Sequence, residues 1–378
     1  MERNNELEAL RAVGIIYVLI THLGVFMPWD PKWQQVLFSH LQFWGGVDLF
    51  FTVSGFVIMR SLLPVIGVTK TERYWQQIGA FWVRRFYRLV PASWLWLFIS
   101  IMLAIFYNEH GSFSSPALNL MDTVSQFFYM ANWHSYFCAT QVSYCGINAA
   151  YWSLSLEEQF YFILPIAIFF LRKRLFWLCC ALIMIQFPLY RPIFSALWLT
   201  RIDAVLWGVL IAIFSQSPLY TRWKPVALRS TPFRLLVTGM LLLSLAVLAR
   251  QESIPFFVGM LALCSAVMVW LASYDEGLMF RWVRHSRVIQ WIGSRSYSIY
   301  LAHPIMFLVA VEYCKDRSGG AVGANDTFRI LVGGLLLSGI GAELCYRFIE
   351  TPFRLKGRAI AIRMTSEPRV IAETTVSP

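Results

Sequence analysis

The sequence predicts an all-α integral membrane protein, a bundle of about ten transmembrane helices with both termini in the cytoplasm. Three observations predict it. Hydrophobic residues make up 58% of the 378 and charged residues only 14%, against roughly 45–50% and about 25% in soluble domains. The apolar residues gather in long continuous runs, which favours helices over a closed barrel, the two structures that lipid tolerates. Lys and Arg are shared unevenly between alternate connecting segments, as the positive-inside rule requires.

Spans are expected near 12–27, 44–66, 90–108, 151–171, 175–190, 196–214, 234–250, 254–273, 296–313 and 328–348, each close to the roughly 20 residues a bilayer demands. The fifth is short, and the sixth contains Arg201 and Asp203. The first is read as an uncleaved helix, because Arg3 and Arg11 share its flank with Glu2, Glu6 and Glu8. No small-x-small cleavage site follows it; Pro28, Trp29 and Asp30 do. With the N-terminus inside, 25 of the 32 Lys and Arg fall in inner segments and 7 in outer ones. The net charge of +11 is then mostly a topology signal, and nucleic-acid binding is not needed to explain it.

Residues 1–356 read as one membrane domain and 357–378 as a polar cytoplasmic tail without periodicity, expected to be disordered. The longest outer loop, 109–150, has no Lys or Arg and holds Cys138 and Cys145, so a disulfide is expected there on an oxidising side. No Cys/His spacing suggests zinc, and no metal is expected. Small residues at Gly333, Gly334, Ser338, Gly339 and Gly341 suit close helix contact.

Ionisable groups inside spans are costly and mark function. Arg11 and His22 are three helical turns apart, on one face and about 16 Å apart along the axis. They read as two stations of one path, or as an inner anchor and a solvated histidine. Asp48 enters the second span at about the depth of His22. It either pairs with that imidazole or sits as a carboxylate near a helix N-terminus. Arg85 and Arg88 lie three apart, so they face one way. Guanidinium pairs suit phosphate, although inner-side anchoring is the plainer reading. Glu157 and Glu158 enter the fourth span together, about 100° apart, so at most one is expected to face a given site. Arg201 and Asp203 suggest an ion pair within the sixth span. His303 precedes Pro304, and it either serves a site or satisfies a carbonyl that the proline frees.

Taken in order, these segments resemble the acyltransferase-3 family of bacterial membrane enzymes, over residues 5 to 356. Arg11 and His22 match its Arg-(ten residues)-His pattern. Gly46-Val47-Asp48-Leu49-Phe50-Phe51 through Ser54-Gly55-Phe56 match its second-helix motif, and Arg85-Phe86-Tyr87-Arg88 its Arg-x-x-Arg. Trp152-Ser153-Leu154-Ser155 with Glu157-Glu158-Gln159, Ser298-Ile299-Tyr300-Leu301 with His303-Pro304, and Glu350-Thr351-Pro352 complete the set.

The resemblance implies acyl transfer, with acetyl the expected group, from cytoplasmic acyl-CoA to a hydroxyl of a carbohydrate or glycolipid at a bacterial inner membrane. It implies Arg11, Arg85 and Arg88 on the CoA phosphates, and His22 as base or nucleophile with Asp48 orienting it. Glu157 joins the chemistry, and Ser54, Trp152, Glu158 and His303 bind the acceptor. Many members carry a C-terminal esterase-like domain. Here the membrane domain is expected to work alone or with a separate periplasmic partner. The rival class is a transporter with buried His, Asp and Glu as a proton relay. Transporters often show repeated halves, and none is evident.

Overall fold

A computed structural model describes residues 4–27, 29–250 and 254–366. Glu2, Arg3, Pro28 and the tail beyond residue 366 lie outside them. Among the described residues every regular element is helical. The first half of the chain forms α1 Asn5–Phe26, α2 Lys32–His40, α3 Gly46–Ile66, α4 Thr71–Phe106, α5 Pro116–Phe127, α6 Ala131–Ala139, α7 Tyr151–Leu171 and α8 Leu175–Gln186. The second half forms α9 Ala196–Leu199, α10 Asp203–Phe214, α11 Pro218–Arg222, α12 Thr231–Leu248, α13 Phe257–Ser273, α14 Arg287–Ser294, α15 Ser296–Arg317, α16 Thr327–Cys345 and α17 Thr351–Thr365.

Each of the ten predicted spans is helical. Seven helical stretches are long and apolar enough to cross a membrane. The remaining three positions are α7, which carries Glu157 and Glu158, α8 with 12 residues, and the shorter apolar α13 with 17. The sixth predicted span is broken, because α9 ends at Leu199 and α10 restarts at Asp203. The third begins earlier than expected. α4 runs unbroken for 36 residues from Thr71, so Arg85 and Arg88 sit inside a helix rather than before one.

The segments predicted to share one side do meet at one end of the bundle. Asn4 caps α1 through its side chain, accepting from Leu7 N at 2.8 Å. The Glu6 carboxylate is fully buried and accepts the backbone N–H groups of Gly277, Leu278, Met279 and Phe280 at 2.9 to 3.3 Å. Four donors on one carboxylate satisfy a charge that burial would otherwise penalise. Arg295 and Glu343 pair at the same end at 2.7 Å. At the opposite end Glu312 accepts from His110 N at 2.6 Å, and Trp29 donates to Thr327 at 2.9 Å. The outer loop folds as α5 and α6 and is closed by the expected Cys138–Cys145 disulfide. Asp122 in α5 accepts from Gly146 N and Asn148 N at 3.1 and 3.0 Å, tying the disulfide-closed turn to the start of α7.

Two helices approach backbone to backbone. A Cβ on Gly208 of α10 would lie 2.1 Å from the Thr52 carbonyl oxygen of α3, and one on Gly55 would lie 2.0 Å from that of Val205. Neither backbone oxygen can swing aside. The substitution Gly208→Ala is therefore expected to destabilise by about 1–3 kcal/mol or more through overpacking. The control is Gly239→Ala in α12, where nothing lies within 4 Å. Thermal unfolding of the detergent-solubilised protein compares them, and equal midpoints would contradict the close approach. The small residues of α16 serve a similar but looser contact, with Gly334 against the Phe307 ring and Gly341 against Trp96.

Residues 357–365, expected to belong to the disordered tail, are helical. α17 continues to Thr365 and lies along the first half of α4, with Gly357 against Tyr87 and the Met364 carbonyl accepting from Gln76 at 2.5 Å. A turn of π-helix, Tyr346–Glu350, joins α16 to α17 just before Pro352, whose missing N–H favours such widening. The disorder expected of residues 367–378 lies outside the described residues.

Candidate active site

Five helices, α1, α3, α4, α7 and α15, surround a cavity with about 820 Å³ of atom-free space, its open mouth included. Arg11, Arg85 and Arg88 line it together with Ser54, Glu157, Glu158 and Tyr161. The three cations come from α1 and α4, because the long α4 carries Arg85 and Arg88 past the end of α1 that bears Arg11. Arg11 is held by Glu8 at 2.8 Å. Among the described residues neither Arg85 nor Arg88 has an ion-pair partner. Arg85 lies over the rings of Phe81 and Tyr161, 5.5 and 5.2 Å from their centroids, and Arg88 Nε is buried without a hydrogen-bond partner. Guanidinium groups without an ion-pair partner have the donor geometry that suits an anion.

Both adjacent carboxylates face this cavity, which corrects the expectation that at most one would. The cavity wraps around the start of α7 far enough to meet side chains 100° apart. Glu157 accepts from Ser54 and from Tyr161, one turn along its own helix. Glu158 is 6% exposed and accepts from Gln126 of α5 at 2.8 Å. A second cavity, largely aromatic, shares Arg85, Leu89, Glu158 and Tyr161 with the first and opens between α4 and α7.

His22 stands beyond the cavity lining, and its partner is His303 rather than Asp48. His22 Nδ1 and His303 Nε2 are 3.1 Å apart. His303 Nδ1 lies 2.8 Å from the Tyr300 carbonyl and 3.1 Å from that of Ile299. The carbonyl reading of His303 is realised, since its ring meets the Tyr300 carbonyl that Pro304 leaves free, and the other ring nitrogen faces His22. Tyr300 links this pair to the cavity, which it lines. Its ring lies 5.9 Å from that of His303, and its hydroxyl is 2.7 Å from Ser153.

Asp48 stands in the first turn of α3, one of the two places read for it, while Asp203 and Trp152 are placed otherwise than expected. Asp48 makes a bidentate pair with Arg201, both bonds 3.1 Å long, at zero exposure. Asp203 does not pair with Arg201 in its own span. It binds Arg191 at 2.6 Å, and that arginine, assigned by charge counting to an outer segment, is 1% exposed. Trp152 stands outside the cavity lining and packs on the Arg201 guanidinium at 5.0 Å, in a cage with Trp44, Phe51 and Trp198. Arg201 is close to α3 because the break between α9 and α10 turns its side chain inward. The Arg-Ile-Asp spacing gave no sign of that.

A helical membrane bundle that sets a histidine pair beside an arginine-lined cavity is the class defined so far. The chain matches the family model for an acyltransferase domain over residues 4–342, and it belongs to the acyltransferase-3 family. It is 29% identical to the peptidoglycan O-acetyltransferase OatA of Listeria monocytogenes, over 93% of this chain and 56% of that protein. It is 26% identical to the O-acetyltransferase OatA of Staphylococcus aureus, over 93% of this chain and 57% of that protein. The chain thus spans little more than half the length of these relatives. No solved structure matches it.

Proposed function

We propose that the chain is a membrane O-acetyltransferase that moves an acetyl group from acyl-CoA, entering from the cytoplasm, to a hydroxyl of a cell-surface polysaccharide or its glycolipid precursor. Peptidoglycan is the acceptor named for its Listeria relative. The observation that carries this reading is the single cavity lined by Arg11, Arg85 and Arg88. CoA brings three phosphate groups, and guanidinium groups bind phosphate through paired N–H donors. The excess of Lys and Arg at this end of the bundle supports a cytoplasmic mouth.

The pantetheine arm would run past Ser54 and Tyr300 toward His22. His22 takes the proton from the acceptor hydroxyl as its oxygen bonds the acetyl carbonyl carbon. The carbon–sulfur bond breaks, and the proton passes to the departing thiolate. In a two-step version His22 first bonds the acetyl carbon as the carbon–sulfur bond breaks, and the acceptor oxygen then displaces the imidazole, its proton passing to the CoA thiolate. Glu158, in the wall shared by the two cavities, and Glu157, beside it in the first, hydrogen-bond the acceptor.

Membranes carrying the protein, supplied with radiolabelled acetyl-CoA, test the reading. Label is expected in glycan or glycolipid fractions. A lack of transfer from any acyl-CoA, together with substrate flux driven by a proton gradient, would favour transport instead. Arg85→Ala and Arg88→Ala are each expected to raise KM for acetyl-CoA about 10-fold or more, the loss of one charged hydrogen bond, with kcat nearly unchanged. Unaltered KM values in both would remove these guanidinium groups from the donor site.

A further inference from the structure

From the hydrogen bonds of the histidine pair, His303 buried and His22 half-buried, we infer that His303 is a positioning residue. It fixes the proton of His22 on Nδ1 and leaves His22 Nε2 bare for the reaction. The geometry stands by itself; its chemical use rests on the acyltransfer reading above.

The device begins in the sequence. In an uninterrupted helix the N–H of residue 304 would bond the Tyr300 carbonyl, but Pro304 has none to give. His303 takes that place, with Nδ1 2.8 Å from Tyr300 O and 3.1 Å from Ile299 O. Carbonyl oxygens only accept, so His303 Nδ1 carries the hydrogen. A neutral ring protonated at Nδ1 has its lone pair on Nε2. That lone pair points at His22 Nδ1, 3.1 Å away.

Two lone pairs at that separation would repel, so His22 Nδ1 must be the donor. The opposite arrangement would leave His303 Nδ1 bare against two carbonyl oxygens at a site with zero exposure, forfeiting its hydrogen bonds where no water can replace them. For a neutral pair, one proton arrangement satisfies every contact.

The bare His22 Nε2 is the atom that can take a hydroxyl proton or attack the thioester carbonyl. When Nε2 gains the proton, Nδ1–H remains bonded to His303, and the new charge is shared with a fixed acceptor. His303 exchanges no atom with either substrate. It does for His22 what an orienting carboxylate does in a hydrolase triad, the place the sequence offered to Asp48.

Asparagine and glutamine divide the two ends of the His303 ring between them. Asn reproduces Nδ1 and keeps a donor for the Tyr300 carbonyl. Gln reproduces Nε2 and keeps an acceptor for His22. His303→Gln is expected to retain most of kcat. His303→Asn and His303→Leu are expected to lose about 10²-fold or more, with KM for acetyl-CoA unchanged. A purely structural His303 would instead be rescued by Asn, and that pattern, or equal rates in all three, would overturn the inference.

A second measurement does not depend on activity. Nitrogen NMR of the full-length protein labelled at histidine nitrogens is expected to show His22 protonated at Nδ1 and bare at Nε2. The reverse tautomer would overturn the inference even in an active enzyme. The expected tautomer in a protein that transfers no acyl group would count against the acyltransfer reading and leave the pair intact.

Discussion

His22→Ala is expected to abolish acetyl transfer while leaving membrane insertion and the affinity for acetyl-CoA unchanged. The substitution removes the ring without opening the cavity, because His22 lies outside the cavity lining and the three arginines are held on other turns and another helix. General base catalysis contributes about 10²–10⁴-fold, so a loss in that range fits a ring that only moves protons. A larger loss fits a ring that carries the acetyl group, since a missing nucleophile cannot be replaced by water acting as base. The two routes separate further when acceptor is withheld. A covalent acetyl-imidazole would leave label on wild-type protein and none on the variant. Full transfer by the variant at normal expression would take His22 out of the chemistry, and with it the functional meaning of His303.

The helices were legible because lipid is an exacting solvent. A chain that must bury every backbone group writes its spans as long apolar runs, and polar residues inside them stand out. That is why Arg11, His22, Asp48, Glu157, Arg201 and His303 could all be marked from sequence. Their partners could not be, because pairing between helices is set by rotation and crossing geometry that no single segment encodes. Asp48 and His22 enter at similar depth, yet depth does not say which neighbour each one faces. The Arg201-Ile202-Asp203 spacing suggested a local pair because the break between Leu199 and Asp203, which sends Arg201 to α3 and Asp203 to Arg191 in the connection before α9, leaves no mark in hydropathy. α17 was missed for a different reason. Its partner is the extension of α4 before the predicted third span, so neither segment shows a complete apolar stripe without the other. The histidine pair was half legible: Pro304 announced that a carbonyl would be freed, but only the fold could bring His22 to the other side of the ring.

Arg201→Met alone is expected to cost about 3–5 kcal/mol of stability, the usual consequence of stripping one partner from a buried ion pair. Asp48 has no exposure and both of its oxygens are occupied by Arg201, so the variant leaves a carboxylate with no water to receive it. The aromatic cage compounds the loss. Trp198 and Trp152 lie 4.1 and 5.0 Å from the guanidinium, and a desolvated cation over such rings is worth about 2 kcal/mol or more. Asp48→Leu alone strands the cation instead and is expected to be destabilising as well. The double variant Asp48→Leu with Arg201→Met removes both charges and is expected to recover much of the stability, because apolar replacements of a buried pair are often neutral or better. Thermal unfolding and elution as a single species in detergent measure all three, and the coupling between the substitutions follows from the cycle. The double variant also decides the role of Asp48. If the pair only joins α3 to the start of α10, a folded double variant transfers acetyl groups at close to the wild-type rate. If it folds and is inactive, Asp48 acts in the chemistry despite its position, and a second set of contacts to the substrate must exist in the working enzyme. A single Arg201→Met variant as stable as the wild type would refute the buried pair itself.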